Sequence, residues 1–276
     1  MRSMLGTFRA IFENSKLIRR LARNDFKGRF AGSFLGMVWG FVQPIVMVLV
    51  YWFAFEKGLK AQGTRLTNGI ELPYVLWLVA GLVPWFFFAD ALSQGNNALT
   101  EYSYLVKKVV FEIRILPMVK VVSNIYTHVF FIVLSIILYL CYGFKPDIYY
   151  LQIIYYSFGM FMMLLGLAYF NAAINVFFKD WSQVVSIVLQ VGIWLTPVMW
   201  NYESMVANGI PHWVSVIIRL NPMFYIVRGY RDCFIYKAWF WQAPRMTLYF
   251  WCVTAFCLIF GMFVYNRLRP HFADEL

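Results

Sequence analysis

The stretch VVSNIYTHVFFIVLSIILYLCY, Val121 to Tyr142, decides what kind of molecule this is. Crossing a bilayer takes roughly 17 to 25 predominantly apolar residues, and this run meets that length. Working outward, comparable runs lie near Leu35 to Phe55, Tyr74 to Asp90, Leu151 to Phe177, Gln183 to Trp200 and Met246 to Tyr265. The sequence therefore predicts an all-α integral membrane protein with six transmembrane helices. Composition agrees: 62% of the 276 residues are apolar and 13% are charged, about half the charged share of a soluble domain.

Before the first run stand Arg2, Arg9, Lys16, Arg19, Arg20, Arg23, Lys27 and Arg29 without a continuous apolar core, unlike a cleavable secretory signal. At about 100° per residue, Met4, Phe8, Ile11, Phe12, Ile18, Ala22, Phe26 and Phe30 fall on one face of a helix. Residues 1–34 thus read as an amphipathic helix lying in the membrane plane, and 35–276 as a single six-helix domain. The basic face serves either as an anchor on anionic lipid or, for Arg19, Arg20, Arg23, Lys27 and Arg29, as a receiver of a lipid-borne phosphate. With both termini cytoplasmic, Lys and Arg are in excess on the inner side. The formal net charge of +11 suits anionic lipid and phosphate-bearing cargo alike, and no nucleic-acid partner is expected.

Immediately ahead of Val121 lies LVKKVVFEIRILP, Leu105 to Pro117. Drawn as a helix, it puts Leu105, Val106, Val109, Val110, Ile113 and Leu116 on one side and Lys107, Lys108, Glu112 and Arg114 on the other. Phe111 and Ile115 project among the charges. An aromatic ringed by polar groups is how interfaces concentrate their energy, so a soluble partner docking there is one reading. A surface helix with one isolated exposed aromatic is the other.

Gly32, Gly36 and Gly40 repeat at four-residue spacing where the first span begins, which predicts close helix packing. Pro44 and Pro84 predict kinks inside spans. Asn201 to Arg245 holds apolar pieces too short to cross, interrupted at Asn221–Pro222, and reads as an outer re-entrant hairpin. On it Arg228, Arg231 and Asp232 share a helix face, as an outer gate or as a solvated rim. Aromatic residues make up 21% of the chain. Trp85, Phe86, Phe87, Phe88, Trp194 and Trp200 are candidates for a path along which sugar rings slide, against the alternative of interfacial belts.

Cys141, Cys233, Cys252 and Cys257 show no CxxC spacing, His128, His212 and His271 form no HExxH pattern, and no metal site is expected. His128 reads as a hydrogen-bonded structural residue rather than a functional one. No phosphate loop, nucleophile elbow or useful carboxylate pair is found, so no catalytic residue or cofactor is assigned to this chain.

Four stretches together, GSFLGMVWGFVQPIVMVLVYWFAF (Gly32 to Phe55), NNALTEYSYLVKKVVFEIRILP (Asn96 to Pro117), FKDWSQVVSIVLQVGIWLTPVMW (Phe178 to Trp200) and NPMFYIVRGYRDCF (Asn221 to Phe234), resemble the permease subunit of ABC-2 type polysaccharide and teichoic-acid exporters. The resemblance runs over nearly the whole chain and is nearest to the teichoic-acid translocation permeases. It implies a coupling helix at about Glu101 to Arg114, docking on a separate ATP-hydrolysing subunit that carries the ATP and magnesium. Family members usually have a proline where Glu112 follows Phe111. The resemblance further implies a homodimer, two ATPase subunits, a bacterial plasma-membrane location and a polyprenyl-diphosphate-linked glycan as cargo. Wall teichoic acid is the first expectation for that cargo, with O-antigen, capsular polysaccharide or another lipid as alternatives. A stand-alone secondary transporter is a more distant alternative, and no internal repeat favours it.

Overall fold

The computed structural model describes residues 2–29, 31–32, 34, 36–58, 60, 64–65, 71–107 and 111–276, without the side chains of residues 2–5 and of Phe8. Two amphipathic helices come first, α1 (Arg2–Glu13) and α2 (Ser15–Gly28). The single helix expected here breaks at Asn14, whose side-chain Nδ2 donates to the Ala10 carbonyl at 2.9 Å, a local bond that competes with the helical ladder. Ile11, Ile18, Ala22 and Phe26 are buried as the periodicity predicts, whereas Phe12 is 77% exposed. Met4, Phe8 and Phe30 lie outside the described side chains.

The long helices follow: α3 (Trp39–Trp52), α4 (Tyr74–Asn96), then two short turns, α5 (Ala98–Glu101) and α6 (Ser103–Val106), then α7 (Leu116–Cys141) and α8 (Gln152–Phe177). After α9 (Trp181–Leu195) come α10 (Tyr202–Ala207), α11 (His212–Leu220), α12 (Pro222–Arg231), α13 (Pro244–Leu268) and a final turn, α14 (Phe272–Glu275). A two-residue antiparallel pair, β1 (Thr64–Arg65) with β2 (Glu71–Leu72), closes the connection between α3 and α4.

Among the described residues five helical stretches are long and apolar enough to cross a membrane: Gly36–Gly58, Tyr74–Asn96, Ile113–Cys141, Ile148–Phe177 and Pro244–Glu275. The run expected to supply another span, Gln183 to Trp200, forms a helix of only 15 residues. At 1.5 Å per residue that is about 22 Å, short of a hydrocarbon core of about 30 Å. Thr196 stops it, taking an extended conformation (ψ 129°) ahead of Pro197. The segment beyond forms three short helices, α10, α11 and α12, of which α12 packs against α4 and α8. Asn221 caps α12 by accepting from the Met223 N–H at 3.0 Å, with Pro222 in the first turn.

Helix α4 is apolar all round and correspondingly central, packed by α7, α8, α9 and α12. A second cluster sits at the end of the bundle that carries α1 and α2, where Ile18, Ala22, Leu99, Ile115, Val119, Tyr169 and Tyr265 pack together. In contrast, none of the apolar window of α3 is buried.

The close packing expected of the four-residue glycine spacing is not made at Gly32 or Gly36 among the described residues. Gly32 (φ +84°) and Gly36 (φ +53°) adopt left-handed conformations in the turns before α3, with open space where a Cβ would stand. Backbones instead approach between α8 and α13: a Cβ at Gly261 would collide with the Gly166 carbonyl, and one at Gly166 with the backbone of Cys257.

Candidate functional site

The segment joining α4 to α7 is not one helix. Its helical parts among the described residues are α5 and α6, separated at Tyr102 (φ −101°, ψ 26°), and a 3-10 turn at Ile113–Ile115. Lys108 lies outside the described residues; Lys107 is exposed at the end of α6. Phe111 is half-buried against the second cluster, and Ile115 is fully buried. The helical projection put both among the charges, and it fails because no continuous helix carries them. The exposed aromatic here is Tyr104, at 58%.

Glu112 caps the 3-10 turn, accepting from the Arg114 N–H at 3.4 Å, and has φ −79°. Proline is fixed near −65 ± 15°, so this backbone already has the shape that proline would impose. Two tyrosines fasten the segment to the bundle: Tyr169 of α8 donates to the Arg114 carbonyl at 2.6 Å, and Tyr265 of α13 to the Ile113 carbonyl at 2.9 Å. Both rings are fully buried. Arg114 itself is half-buried, 3.6 Å from Glu112.

Beside this segment is a buried ionic hub. The Asp25 carboxylate of α2 accepts from Lys120 Nζ at 2.6 Å, Ser123 Oγ at 2.7 Å, Tyr102 Oη at 2.8 Å and Arg29 Nη2 at 2.9 Å. Lys120, on α7 and 3% exposed, also pairs with Glu101 of α5. Arg29 reaches Asn124 at 3.0 Å, which accepts in turn from Gln94 of α4 at 3.2 Å. Burial, the largest influence on Asp25, pushes its pKa up; the Lys120 and Arg29 charges outweigh it and hold the carboxyl below its ordinary value. Tyr102, raised first by burial and then by Asp25, stays a neutral donor. Helix α2, helix α7 and the α5–α6 junction thus meet at one carboxylate, with α4 joined to it through Asn124 and Arg29.

On its outward face α2 opens a groove of 890 Å³ lined by Lys16, Arg19, Arg20, Arg23, Asn24, Lys27 and Tyr126. Four of the five cations expected to receive phosphate are gathered there. Arg29 is not; it turns inward to the hub.

The aromatic candidates disperse. Trp85 and Phe88 line an apolar cavity of 610 Å³ between α4, α9 and the hairpin, with the Trp85 ring packed against Gly192. Phe87 instead stacks on His128, ring centroids 4.4 Å apart. Phe86 lines a separate polar pocket. Trp194 is 58% exposed, and its carbonyl accepts from Trp200 Nε1 at 2.9 Å. His128 is buried, with Nε2 2.9 Å from Tyr230 Oη, and takes the structural part expected of it.

The three residues of the hairpin also part company: Arg228 is exposed, Asp232 half-buried and Arg231 buried. The Arg231 guanidinium donates to the Pro197 and Val198 carbonyls at 2.6 and 2.7 Å and lies 3.4 Å from the Trp77 ring centroid. Those carbonyls belong to the non-helical turn that follows Thr196, the C-cap of α9. The arginine therefore holds the turn beyond α9 through two backbone carbonyls. Sequence reasoning missed this, and it missed Asp25 and Lys120.

Comparison with known proteins gives one family. The profile described as "ABC-2 type transporter" matches residues 16–235. Two similar proteins are named O-antigen export system permease protein RfbA. The one from Myxococcus xanthus is 27% identical over 276 residues, 99% of this chain and 100% of its own length. The one from Klebsiella pneumoniae is 25% identical over 259 residues, 93% of each chain. Neither name supports teichoic acid.

Proposed function

This chain belongs to the ABC-2 type transporter family, and on that premise we propose that it is the permease of an ATP-driven exporter of a lipid-linked polysaccharide of the O-antigen kind. The observation that carries the reading is the hub at Asp25. It ties the segment that would meet a motor, Ala98 to Arg114, to the helix bearing the cationic groove and to the core spans α4 and α7. A displacement of that segment is thereby delivered to α2 and α7 together, as a rigid-body movement.

In this reading two ATPase subunits supply ATP binding and hydrolysis, with magnesium, to a homodimer of this chain in the bacterial plasma membrane. Both termini and the α1–α2 end face the cytoplasm. Helix α9 and the returning hairpin together make the remaining crossing, so that six passes leave the carboxyl terminus inside. Domain organisation follows as an interface helix pair ahead of one membrane domain. The groove cations Arg19, Arg20, Arg23 and Lys27 hold a polyprenyl diphosphate at headgroup level, with Arg29 supporting them from the hub. Lys107, Phe111, Glu112 and Arg114 belong to the motor contact, with Lys108 between them in sequence. Trp85 and Phe88 face the apolar cavity, and the glycan runs between protomers.

Support for the cargo is the likeness, over nearly the full length, to proteins named as O-antigen permeases. Wall teichoic acid is the second reading, favoured by the four stretches quoted above; it shares the polyprenyl-diphosphate carrier. Depleting the chain in its host separates the two. A sugar polymer on lipid accumulating inside supports the first reading, and a polyol-phosphate polymer the second. Reversing Arg20 and Arg23 to glutamate is expected to abolish export at unchanged expression. Export that persists would remove the groove from the mechanism.

A further inference from the structure

A second pocket lies between α3, α4 and α7, with a volume of 380 Å³. Its polar lining includes Arg29, Gln43, Asp90, Gln94 and Thr127, with Phe86 as the aromatic wall. Arg29 is already engaged, by Asp25, Ser123 and Asn124. What remains open is mostly acceptors. The Asp90 carboxylate has no hydrogen-bond or ion-pair partner among the described residues and is exposed to the pocket. Gln94 Oε1 is buried and unpartnered. The Gln43 amide and the Thr127 hydroxyl have no described partner either.

That combination selects its ligand by chemistry. A phosphate would meet the negative charge of Asp90. An acyl chain would leave the Asp90 carboxylate and Gln94 Oε1 without donors. A polyhydroxylated ring supplies donors to Asp90 and Gln94 and lays its apolar C–H face on Phe86. The volume, near the lower limit of about 300–1,000 Å³ for ligand pockets, suits one such ring. Position agrees: Tyr126 lines the cationic groove and Thr127, the next residue of α7, lines this pocket. A diphosphate in the groove would place the first sugar within a short reach.

We propose that this pocket binds the first sugar ring of the lipid-linked cargo, with Asp90 and Gln94 accepting from its hydroxyls. The proposal rests on the functional reading above and adds to it a subsite that recognises sugar rather than phosphate.

The test uses the full-length chain with its ATPase partner in nanodiscs of phosphatidylcholine and phosphatidylglycerol. Two probes are compared by equilibrium binding: polyprenyl diphosphate, and the same lipid carrying one N-acetylhexosamine. The sugar is expected to tighten binding about tenfold. Asp90→Leu and the milder Thr127→Val should remove that gain while bare-lipid binding stays unchanged. Asp90→Asn, whose carbonyl still accepts, should retain most of it. The proposal is overturned if the sugar adds nothing while the bare lipid binds, or if the variants weaken both lipids equally. It is also overturned if Asp90→Asn is as damaging as Asp90→Leu and added phosphatidylethanolamine competes, which would make this an ammonium site. If neither lipid binds even to the unaltered chain, the reading of the cargo fails with it.

Discussion

At the scale of single residues, Lys120 and Asp25 carry the most. Both are buried, and each is the other's principal counter-charge. Replacing Lys120 with methionine leaves the buried Asp25 carboxylate with Arg29 as its remaining counter-charge, a loss of up to about 3–5 kcal/mol. The expected outcome is a marked fall in melting temperature, partly restored in the double variant Lys120→Met with Asp25→Leu, where the buried carboxylate is gone and Arg29 keeps only Ser123 and Asn124. Export should stay low in the double variant, because the link between α2 and α7 is gone. A double variant that exports normally would show the hub to be packing alone. The same carboxylate sets an acid limit. Its folded-state pKa is depressed, so its contribution is complete above its ordinary value of 3.8 and is lost as pH falls through the lower folded value. Thermal stability should therefore decline below about pH 4 in the unaltered chain, and the Asp25→Asn variant should start lower and flatten that decline.

At the scale of elements, the segment between α4 and α7 is where sequence and structure differ most instructively. The charges and Phe111 led to the expectation of a docking surface there, but the shape of the segment was not legible. The coupling helix expected at about Glu101 to Arg114 assumes one helix, and Tyr102 ends that assumption by turning its hydroxyl to Asp25, 77 positions earlier. No local pattern announces such a bond. For the same reason the four-residue glycine spacing before α3 misled, whereas Gly166 and Gly261 reveal themselves only when α8 and α13 are brought together. What was legible had local causes: apolar runs long enough to cross, the Asn221–Pro222 cap, and the buried stripe Ile18, Ala22 and Phe26. Two expectations belong here. Gly261→Ala should destabilise the bundle by about 1–3 kcal/mol, the usual range for overpacking, read as a lower melting temperature in detergent. Phe111→Asp should lower both stability and ATPase association, since the ring is half-buried, while Tyr104→Asp should lower association alone. Equal stability losses in the two variants would reverse that assignment.

At the scale of the whole molecule, the chain separates a well-packed core from apolar faces that no described residue covers. Helix α3 exposes Val46, Met47, Leu49 and Val50, and α13 exposes Phe256, Ile259 and Phe263. Lipid or a second copy must cover them, as the proposed homodimer does. Charge and polarity gather at the α1–α2 end, where the hub, the cationic groove and the polar pocket lie around one stretch of α7. The proposed exporter requires that its motor meet the molecule at this end, through Tyr104 and Lys107. Photo-crosslinking tests that most directly, with a photoreactive phenylalanine in place of Tyr104 and, as a control at the opposite end, in place of Trp213, which is 66% exposed. The account predicts a covalent adduct between position 104 and an ABC ATPase, changing in yield when ATP is added, and none from position 213. An exporting cell in which position 104 captures no ATPase, or position 213 captures it instead, would contradict it.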